Sequence, residues 1–430
     1  MIDLDLLVPQ PEEPPWPADA RRRWLIFGAF ALVLFMVSGA AAPAGPALVQ
    51  VRTATLVAAS SYRILGDALY VAEVRPDGNW LTAYPLPAGP PRWSTRLDVL
   101  ASNVALDEMD GVILVGMFQP GVSGDHTAAL DRVTGALRWR SPLNVAAVDR
   151  IRGQVVLTAY PAARIGSGPP PADVMAVSAG TGVRVWSYRR PGGCEGDLPY
   201  TVTDRRTGLA ILCSNGQLEL FDLDTGKVRA RAAVPETLAV GFGARVVALP
   251  DRVVVSYPSA GGSVLVSFDL DRLRTDWTSR VEQGNYFISD CGPRICLGNS
   301  TAALALDRYT GRIVWSVRPV GFAAPLVDRY VLVAPAQFGQ IQLVDIGTGR
   351  VMMNLGDWSA EIAPVGLPMF FRSDGATGRT WVARVSEQPS GVRVLGFVPD
   401  ARPETCGSSR GYLVCRTVKD TVTVWRFAVG

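Results

Sequence analysis

The chain has 430 residues, of which 48% are hydrophobic and 19% are charged, and its mean hydropathy is +0.19. This balance excludes a disordered chain and indicates a globular protein with a large buried core. Its 42 basic and 39 acidic residues give a net charge of only +3, which excludes a strong bulk attraction to nucleic acid.

The first predicted element is a membrane-spanning helix. Residues 1–23 form a polar, Pro-rich tail that ends in three arginines, and Trp24 to Ala42 is an uncharged run of nineteen residues. Such a run is long enough to cross a bilayer core as a helix, and arginines before it favour a cytoplasmic tail. We therefore expect a single-pass protein of the cell membrane, anchored through this helix, with residues after 42 outside the cytoplasm. A cleaved signal peptide ending at Ala40 to Ala42 is the alternative, which the long acidic leading segment disfavours.

A ten-residue template recurs after a predicted stalk and possible ring-closing strand at 43–58. Three segments share it closely and three more match it with substitutions. They are LDRVTGALRW (130–139), VSAGTGVRVW (177–186), LDRYTGRIVW (306–315), FDLDTGKVRA (221–230), FDLDRLRTDW (268–277) and VDIGTGRVMM (344–353). The last position of the template recurs every 38 to 47 residues, a spacing that is typical of a blade of four short strands.

The template has a physical interpretation. Its Asp can accept backbone N–H groups of a turn, and its Gly supplies the positive φ that a tight hairpin needs. The Trp that follows would pack against the neighbouring blade. The tryptophans predicted to pack in this way are Trp93, Trp139, Trp186, Trp277 and Trp315. Their regular spacing favours this role over an aromatic ligand-binding box.

The D-x-x-T-G-x-x-x-W template resembles the pyrroloquinoline quinone (PQQ) repeat of quinoprotein dehydrogenases and of a bacterial outer-membrane-assembly propeller lipoprotein. The resemblance implies an all-β, closed β-propeller, usually of eight blades. Weaker units at 368–397 and 411–429 raise the count of candidates to nine, and the last of them lacks a fourth strand. The segment Val49 to Val57 could supply that strand and close the ring. We expect about eight four-stranded blades in residues 59–430, with seven or nine as the alternatives.

The six cysteines indicate local disulfides. Three of them lie in the same strand of their units, and each has another cysteine shortly upstream. The predicted pairs are Cys194–Cys213, Cys291–Cys296 and Cys406–Cys415. Such bonds fit an oxidising exterior. The alternative is that all six are buried free thiols.

Candidate catalytic groups are few. As the resemblance implies, quinoprotein dehydrogenases hold PQQ and Ca²⁺ beneath a disulfide between adjacent cysteines, but this sequence has no adjacent cysteine pair. The acidic cluster of Asp107, Glu108 and Asp110 could bind a cation, although a solvated hairpin is favoured by the Gly that follows it. His126 is the only histidine and has no evident nucleophile partner. We therefore expect no catalytic residue, no cofactor and no metal site.

The function predicted from the sequence is a non-enzymatic binding or scaffolding module of the cell envelope. Its expected partners are a protein or an envelope polymer, together with the bilayer around the helix, and no nucleic acid. Long loops often carry binding, which makes the inserts at Phe118 to Asp125 and Pro161 to Asp173 candidates. Two alternatives are a PQQ- and Ca²⁺-dependent oxidoreductase and a sensor that signals through the N-terminal tail.

Overall fold

The described part of the chain is built from short antiparallel strands. The computed structural model describes residues 48–56, 60–97, 104–117, 126–158, 173–189, 208–213, 215–234, 244–282, 284, 286–299, 301–318, 322–327, 329–334, 340–361, 369–385, 392–409 and 411–428. Within them, the one helical element among the strands is a 3₁₀ turn at Pro403–Thr405. No helix in these ranges is long and apolar enough to span a membrane, and the predicted helix at Trp24 to Ala42 lies outside them.

The strands form nine sheets in the described residues, numbered here as blades in chain order. Blade 1 contains β2 (Ser61–Leu65), β3 (Ala68–Arg75), β4 (Gly78–Pro85) and β5 (Trp93–Leu97); blade 2 contains β6 (Val104–Met109), β7 (Val112–Met117), β8 (Thr127–Asp131) and β9 (Leu137–Ser141); blade 3 contains β10 (Asn144–Asp149), β11 (Gln154–Thr158), β12 (Asp173–Ser178) and β13 (Arg184–Arg189). Blade 4 contains β14 (Gly208–Leu212), β15 (Gln217–Asp222) and β16 (Val228–Ala233); blade 5 contains β17 (Arg245–Ala248), β18 (Arg252–Ser259), β19 (Gly262–Asp269) and β20 (Thr275–Val281); blade 6 contains β21 (Phe287–Cys291), β22 (Arg294–Gly298), β23 (Ala303–Asp307) and β24 (Ile313–Val317). Blade 7 contains β25 (Phe322–Val327), β26 (Tyr330–Ala334), β27 (Gln342–Asp345) and β28 (Val351–Asn354); blade 8 contains β29 (Ser359–Glu361), β30 (Met369–Asp374), β31 (Arg379–Val385) and β32 (Val392–Pro399); blade 9 contains β33 (Gly407–Ser409), β34 (Tyr412–Arg416), β35 (Thr421–Phe427) and β1 (Leu48–Thr55).

The preferred count of eight blades is wrong, because the described residues form nine, which was one of the two alternatives. Both weak units of the sequence are real blades: the first corresponds to blade 8, and the second corresponds to β34 and β35 of blade 9. Blade 8 has no Trp at the template position, and its D-G-A-T-G turn joins the second and third strands instead of the third and fourth. A blade therefore depends on the pairing of its strands, and it can form without the template that makes other blades visible in the sequence.

The ninth blade joins the two ends of the described chain. Strand β1 pairs antiparallel with β35 from Leu48 opposite Phe427 to Thr55 opposite Thr421. The sequence placed a ring-closing strand at Val49 to Val57, and the structure has it at Leu48–Thr55. Because the blade combines the first and last strands, the ring is closed by backbone hydrogen bonds.

The core lies between the blades. Nine clusters of buried apolar side chains occur in the described residues, and each draws its members from two neighbouring sheets. In the cluster that joins blade 9 to blade 1, for example, Val422 and Val424 pack with Leu69 and Val71. The second strand of most blades is buried on both faces, which explains runs such as VILV and VVLT.

Candidate interaction surface

The turn of the repeated template is held by its own Asp side chain. In blade 2, Oδ1 of Asp131 accepts hydrogen bonds from the backbone N–H of Val133 (2.9 Å) and Thr134 (2.8 Å) and from the Thr134 hydroxyl (2.9 Å). The amide of Gly135, at φ +72°, then donates to the Asp131 carbonyl at 2.8 Å. Asp222, Asp307 and Asp345 make the equivalent three bonds in blades 4, 6 and 7. The Asp and Thr of the template are therefore structural.

Each predicted tryptophan joins its blade to the next one. Nε1 of Trp93 donates to the carbonyl of Arg132 (3.0 Å), and Nε1 of Trp315 donates to that of Ile346 (2.9 Å). Trp139, Trp186 and Trp277 bond the carbonyl at the same template position. The indole also lies against the turn glycine of the next blade, so that a Cβ on Gly135 would stand 2.5 Å from Cδ2 of Trp93. We call this contact a Trp–Gly joint.

One joint uses different residues. Blade 4 has Ala230 at the Trp position, and the next turn has Leu273 at the Gly position with a φ of +53°. Leu273 is buried in a cluster against which Ala230 packs, so that its side chain occupies space that an indole fills elsewhere. The guanidinium of Arg229 donates to the carbonyl of Leu270, which is the acceptor position that the other joints give to Trp.

Two of the predicted disulfides are present in the described residues. Cys291–Cys296 and Cys406–Cys415 each connect the region of the inner strand to the second strand of one blade. Cys213 is also disulfide-bonded, and its predicted partner Cys194 lies outside the described residues. No described cysteine is a free thiol, so the alternative of six free thiols is wrong.

Arginines connect blades at the same end as the turns. Arg308, which follows the template Asp of blade 6, bonds Asp251 of blade 5 (Nε to Oδ1, 2.9 Å) and Asp290 of blade 6 (2.7 Å). Burial alone would raise the pKa of Asp251, but hydrogen bonds and charge from Arg308 and Arg252 outweigh it and lower the pKa to about 2. These contacts stabilise the packing of two blades, and they occupy the two carboxylates with hydrogen bonds from arginine.

The same arrangement occurs between blades 1 and 2. Arg132, which also follows a template Asp, bonds Asp67 of blade 1 (2.6 Å) and Glu108 of blade 2 (3.0 Å). A hydrogen bond from Arg92 contributes most to lowering the pKa of Asp67 to about 2. The dipeptide Asp-Arg at the start of both template segments is a sequence signal for these contacts. The contacts were not predicted from it.

The acidic cluster singled out in the sequence is divided among these contacts. Glu108 pairs with Arg132, Asp107 pairs with Arg150 of blade 3, and Asp110 lies in a turn at φ +49°. His126 is half-buried, and its backbone N–H donates to the carbonyl of Ser141. In the part of the chain that the structure describes, no three His, Cys, Asp or Glu side chains are grouped as metal ligands.

The predicted loop candidates cannot be placed. The insert at Phe118 to Asp125 lies outside the described residues, and so does the insert at Pro161 to Asp173 except for Asp173, which begins β12. The described residues do define the outer rim, which is formed by the outermost strand of each blade.

The outer strands have a free hydrogen-bonding edge, because among the described residues each pairs with a neighbour on one side only. Such an edge can pair with another chain unless it is blunted by charge or by a bulge. In blades 2 to 7 the outer strand carries one extra residue just before the Trp position. In blade 2, for example, Ala129 pairs with Trp139 but the next residue, Leu130, pairs with Leu137, which leaves Arg138 as the extra residue. This shared bulge limits pairing at one end of these edges.

The charged residues within the outer strands divide the rim into two arcs, while exposed apolar side chains occur on both, such as Leu137 of β9 and Val185 of β13. On blades 6 to 8, β24 and β28 carry no charged residue, although the exposed Arg312 and Arg350 directly precede them, and β32 carries only Arg393. The exposed apolar side chains here, defined as the apolar arc, are Ile313, Val314, Val351, Val394 and Phe397. On blades 1 to 5 the exposed charged residues of the outer strands are seven arginines and Asp276. These arginines, defined as the basic arc, are Arg96, Arg138, Arg140, Arg184, Arg229, Arg231 and Arg280.

Comparison with known proteins agrees with this architecture. A family model described as outer membrane protein assembly factor BamB matches residues 77–287. The described chain is a β-propeller, and over residues 77–287 it is similar to this family. None of the curated proteins compared with the chain matches it at a significant level.

Several solved structures align with most of the chain. BamB from Moraxella catarrhalis is 16% identical, with 88% of this chain and 100% of that chain covered and a TM-score of 0.49. The C-terminal WD40 domain of Sif2 is 10% identical, with 89% and 99% covered and a TM-score of 0.47. A quinohemoprotein alcohol dehydrogenase from Comamonas testosteroni is 13% identical, with 89% and 77% covered and a TM-score of 0.45. All three scores are below 0.5, and these similarities do not distinguish a binding protein from a dehydrogenase.

Proposed function

We propose that this protein is a membrane-anchored, extracytoplasmic binding or scaffolding module of the cell envelope, without a catalytic activity of its own. The observation that carries the proposal is the apolar arc. Soluble proteins tend to protect free strand edges, yet the edges of β24 and β28 have no charged side chain and expose Ile313, Val314 and Val351. A free edge flanked by exposed apolar side chains is suited to pairing with a strand of another protein.

The chemistry of the described residues supports a binding role over catalysis. The template residues are used in turns and joints, and the buried or partly buried carboxylates near the blade contacts are paired with arginines. Catalytic sites need titratable groups that are free to exchange protons or to bind substrate. The two interblade arginine contacts instead occupy the carboxylates of Asp67 and Asp251 and lower their pKa to about 2.

Site-specific photo-crosslinking tests this proposal. A photoreactive side chain placed at Val351 or Val394 of the full chain, in envelopes of the native cells, should give one discrete protein adduct. The matched controls are Ser187 and Thr278, which are exposed on outer strands of the basic arc. Adducts of equal yield at all four positions, or none at Val351 and Val394, would contradict the proposed docking edge.

The membrane anchor is tested separately. N-terminal sequencing of the protein in the membrane fraction should find residues 1–23 still attached, because the proposed helix is not cleaved. A chain that begins at Pro43 would show instead that Trp24 to Ala42 belongs to a removed signal peptide.

A further inference from the structure

Two sets of turns lie together on one face of the propeller: those between the first and second strands of a blade, and those between the third and fourth. Hydrogen bonds connect the two turns within a blade, for example from the N–H of Arg132 to the carbonyl of Gly111 and from the N–H of Ala179 to that of Gly153, both at 2.9 Å. The interblade contacts of Arg308 lie among the same turns. We call this surface the turn face.

The turn face carries the most exposed large apolar side chains of the described residues. They are Val133 of blade 2, Ile151 and Val183 of blade 3, and Tyr309 of blade 6, each with between 65% and 75% of its surface exposed. At the opposite end of the blades the most exposed apolar side chain is Val418, at 56%. All four leading positions are therefore turn tips of one face.

The fold does not require apolar side chains at these tips. Val133 and Tyr309 both stand two residues after the template Asp. In the other described turns of this type the position is held by glycine or aspartate, at Gly180, Asp224, Asp271 and Gly347. Such turns accept small and polar residues, so the apolar tips are a property of the surface and not of the turn.

The backbone of each tip is already hydrogen-bonded inside its turn. The N–H groups of Val133, Ile151 and Tyr309 donate to the Asp side chain two residues earlier, at 2.9, 3.0 and 3.2 Å. The N–H of Val183 donates to the Thr181 hydroxyl at 3.3 Å. A polar backbone group without a partner costs free energy when it leaves water. These tips can therefore enter an apolar environment without leaving their N–H groups unpaired.

The positions of the tips around the ring favour a flat partner. Blade 3, with Ile151 and Val183, lies three blades from blade 6, with Tyr309, and blade 9 lies three blades further. Equivalent turns of a closed ring of similar blades stand at equal height, so that their tips lie close to one plane. A peptide in a single groove would contact neighbouring blades only, whereas a bilayer surface can touch tips that are a third of the ring apart.

The chain enters the propeller on the same face, at blade 9. Leu48 lies opposite Phe427, and the N–H of Phe427 donates to the carbonyl of Gly411, in the turn between the first and second strands of that blade (3.0 Å). Five residues separate Leu48 from Ala42, the last residue of the proposed anchor. The connection can span at most about 20 Å when fully extended. The anchor would therefore keep this corner of the turn face near the bilayer.

We propose that the turn face rests on the extracytoplasmic surface of the membrane that holds the anchor, with Val133, Ile151, Val183 and Tyr309 inserted among the lipid headgroups. Burial of apolar side chains at this depth favours binding, and tyrosine is common at membrane–water interfaces. The inference rests on the proposed membrane anchor and deepens it, because it specifies which face of the propeller meets the bilayer. The apolar arc remains available to a protein.

Quenching by labelled lipids tests the inference with the full chain reconstituted in vesicles of phosphatidylcholine and phosphatidylglycerol. A fluorescent amino acid replaces Val133 in one sample and Val418 in the other, and some of the lipids carry a nitroxide quencher near the headgroup. Both positions are exposed valines in turns, at opposite ends of the blades. Flotation with the vesicles shows that the chain is membrane-bound, and an unchanged melting temperature shows that it is folded.

The expected result is at least about threefold stronger quenching at Val133 than at Val418. Replacing Ile151, Val183 and Tyr309 by Asp should remove this difference. The control variant, which replaces the exposed Val314, Val394 and Val418 outside these turns by Asp, should keep the quenching at Val133 unchanged.

Equal quenching at the two positions in a chain that floats would overturn the inference and leave the anchor supported. A chain that does not float would overturn both. A discrete protein adduct from a photoreactive side chain at Val133, in native envelopes, would overturn the inference in favour of a protein partner. The crosslinking at Val351 and Val394 does not depend on these outcomes, so that the docking edge and the membrane contact fail separately.

Discussion

The joint between blades 6 and 7 and the joint between blades 4 and 5 fill the same space with different residues. In the first, Trp315 lies against Gly349 and bonds the carbonyl of Ile346. In the second, the large side chain is Leu273 at the glycine position, and the small Ala230 stands at the Trp position. The hydrogen bond to the carbonyl of Leu270 comes from Arg229. What a joint requires is therefore a filled volume and a donor for one buried carbonyl, and the template is one way of meeting both needs.

Removing the large side chain of a Trp–Gly joint should have the largest effect. Trp315→Ala leaves a cavity and an unpaired carbonyl between two blades, and we expect it to lower the free energy of unfolding by about 3–5 kcal/mol. Urea denaturation followed by circular dichroism measures this loss. Trp80→Ala is the control, because Trp80 is only half-buried and lies outside the joints, and it should cost clearly less. Equal losses would show that the joints have no special role.

Crowding a joint from the glycine side should have the next largest effect. Gly135→Ala would place a Cβ 2.5 Å from Trp93, and we expect overpacking to cost about 1–3 kcal/mol beyond the backbone strain. Gly111→Ala in the same blade isolates that strain, because Gly111 has a φ of +73° against +72° for Gly135 and nothing near its Cβ position. The difference between the two variants in urea denaturation is the cost of the contact, and a difference near zero would refute the close packing.

Exchanging one kind of joint for the other should show coupling. Ala230→Trp alone overfills the contact with Leu273, and Leu273→Gly alone empties it, so both should destabilise the propeller. The double variant rebuilds the Trp–Gly pair, and we expect it to be more stable than the sum of the two losses by about 0.5–3 kcal/mol. A double-mutant cycle from three denaturation curves measures this coupling. Additive losses would mean that the two residues do not share one space.

The arginine contacts should add a smaller, pH-dependent contribution. Because the folded pKa of Asp251 is about 2 and the unfolded value is about 4, its contribution is present above pH ~4 and is lost as the pH falls through about 2. Asp251→Asn should therefore differ from the wild type in melting temperature at pH 6 and differ less at pH 2.5. Asp357→Asn, at an exposed position in the connection between blades 7 and 8, is the control. A difference that does not change with pH would rule out this ionic contribution.

The sequence predicted the parts of the fold that repeat in register. The residue types of Asp131, Gly135 and Trp139 recur at fixed spacing because several turns and joints use them for the same contacts, and a single sequence shows such a pattern directly. Both weak units and the closing strand were visible in the sequence, which kept nine blades among the alternatives. Eight was preferred because the family that the template resembles usually has eight, and because blade 8 moves its D-G-A-T-G turn and blade 9 takes β1 from the other end of the described chain.

The rim and the arginine contacts were harder to predict. The arginines of the basic arc are far apart in sequence, and only the fold places Arg96 and Arg280 on one surface. Likewise, Arg308 and Asp251 meet because two blades are neighbours. Without the position of a strand in its blade, the charged residues of a short segment are explained by solvent exposure alone.

The central claim is that the repeated template of this chain builds joints between blades, and we propose that the propeller holds no quinone. The most direct test incubates the full chain in detergent with PQQ and Ca²⁺, removes free ligand by desalting, and quantifies retained quinone by absorbance together with the melting temperature. We expect no retention above that of a denatured control and no rise in melting temperature. Saturable one-to-one retention with a higher melting temperature would contradict the claim and would identify the propeller as a quinoprotein.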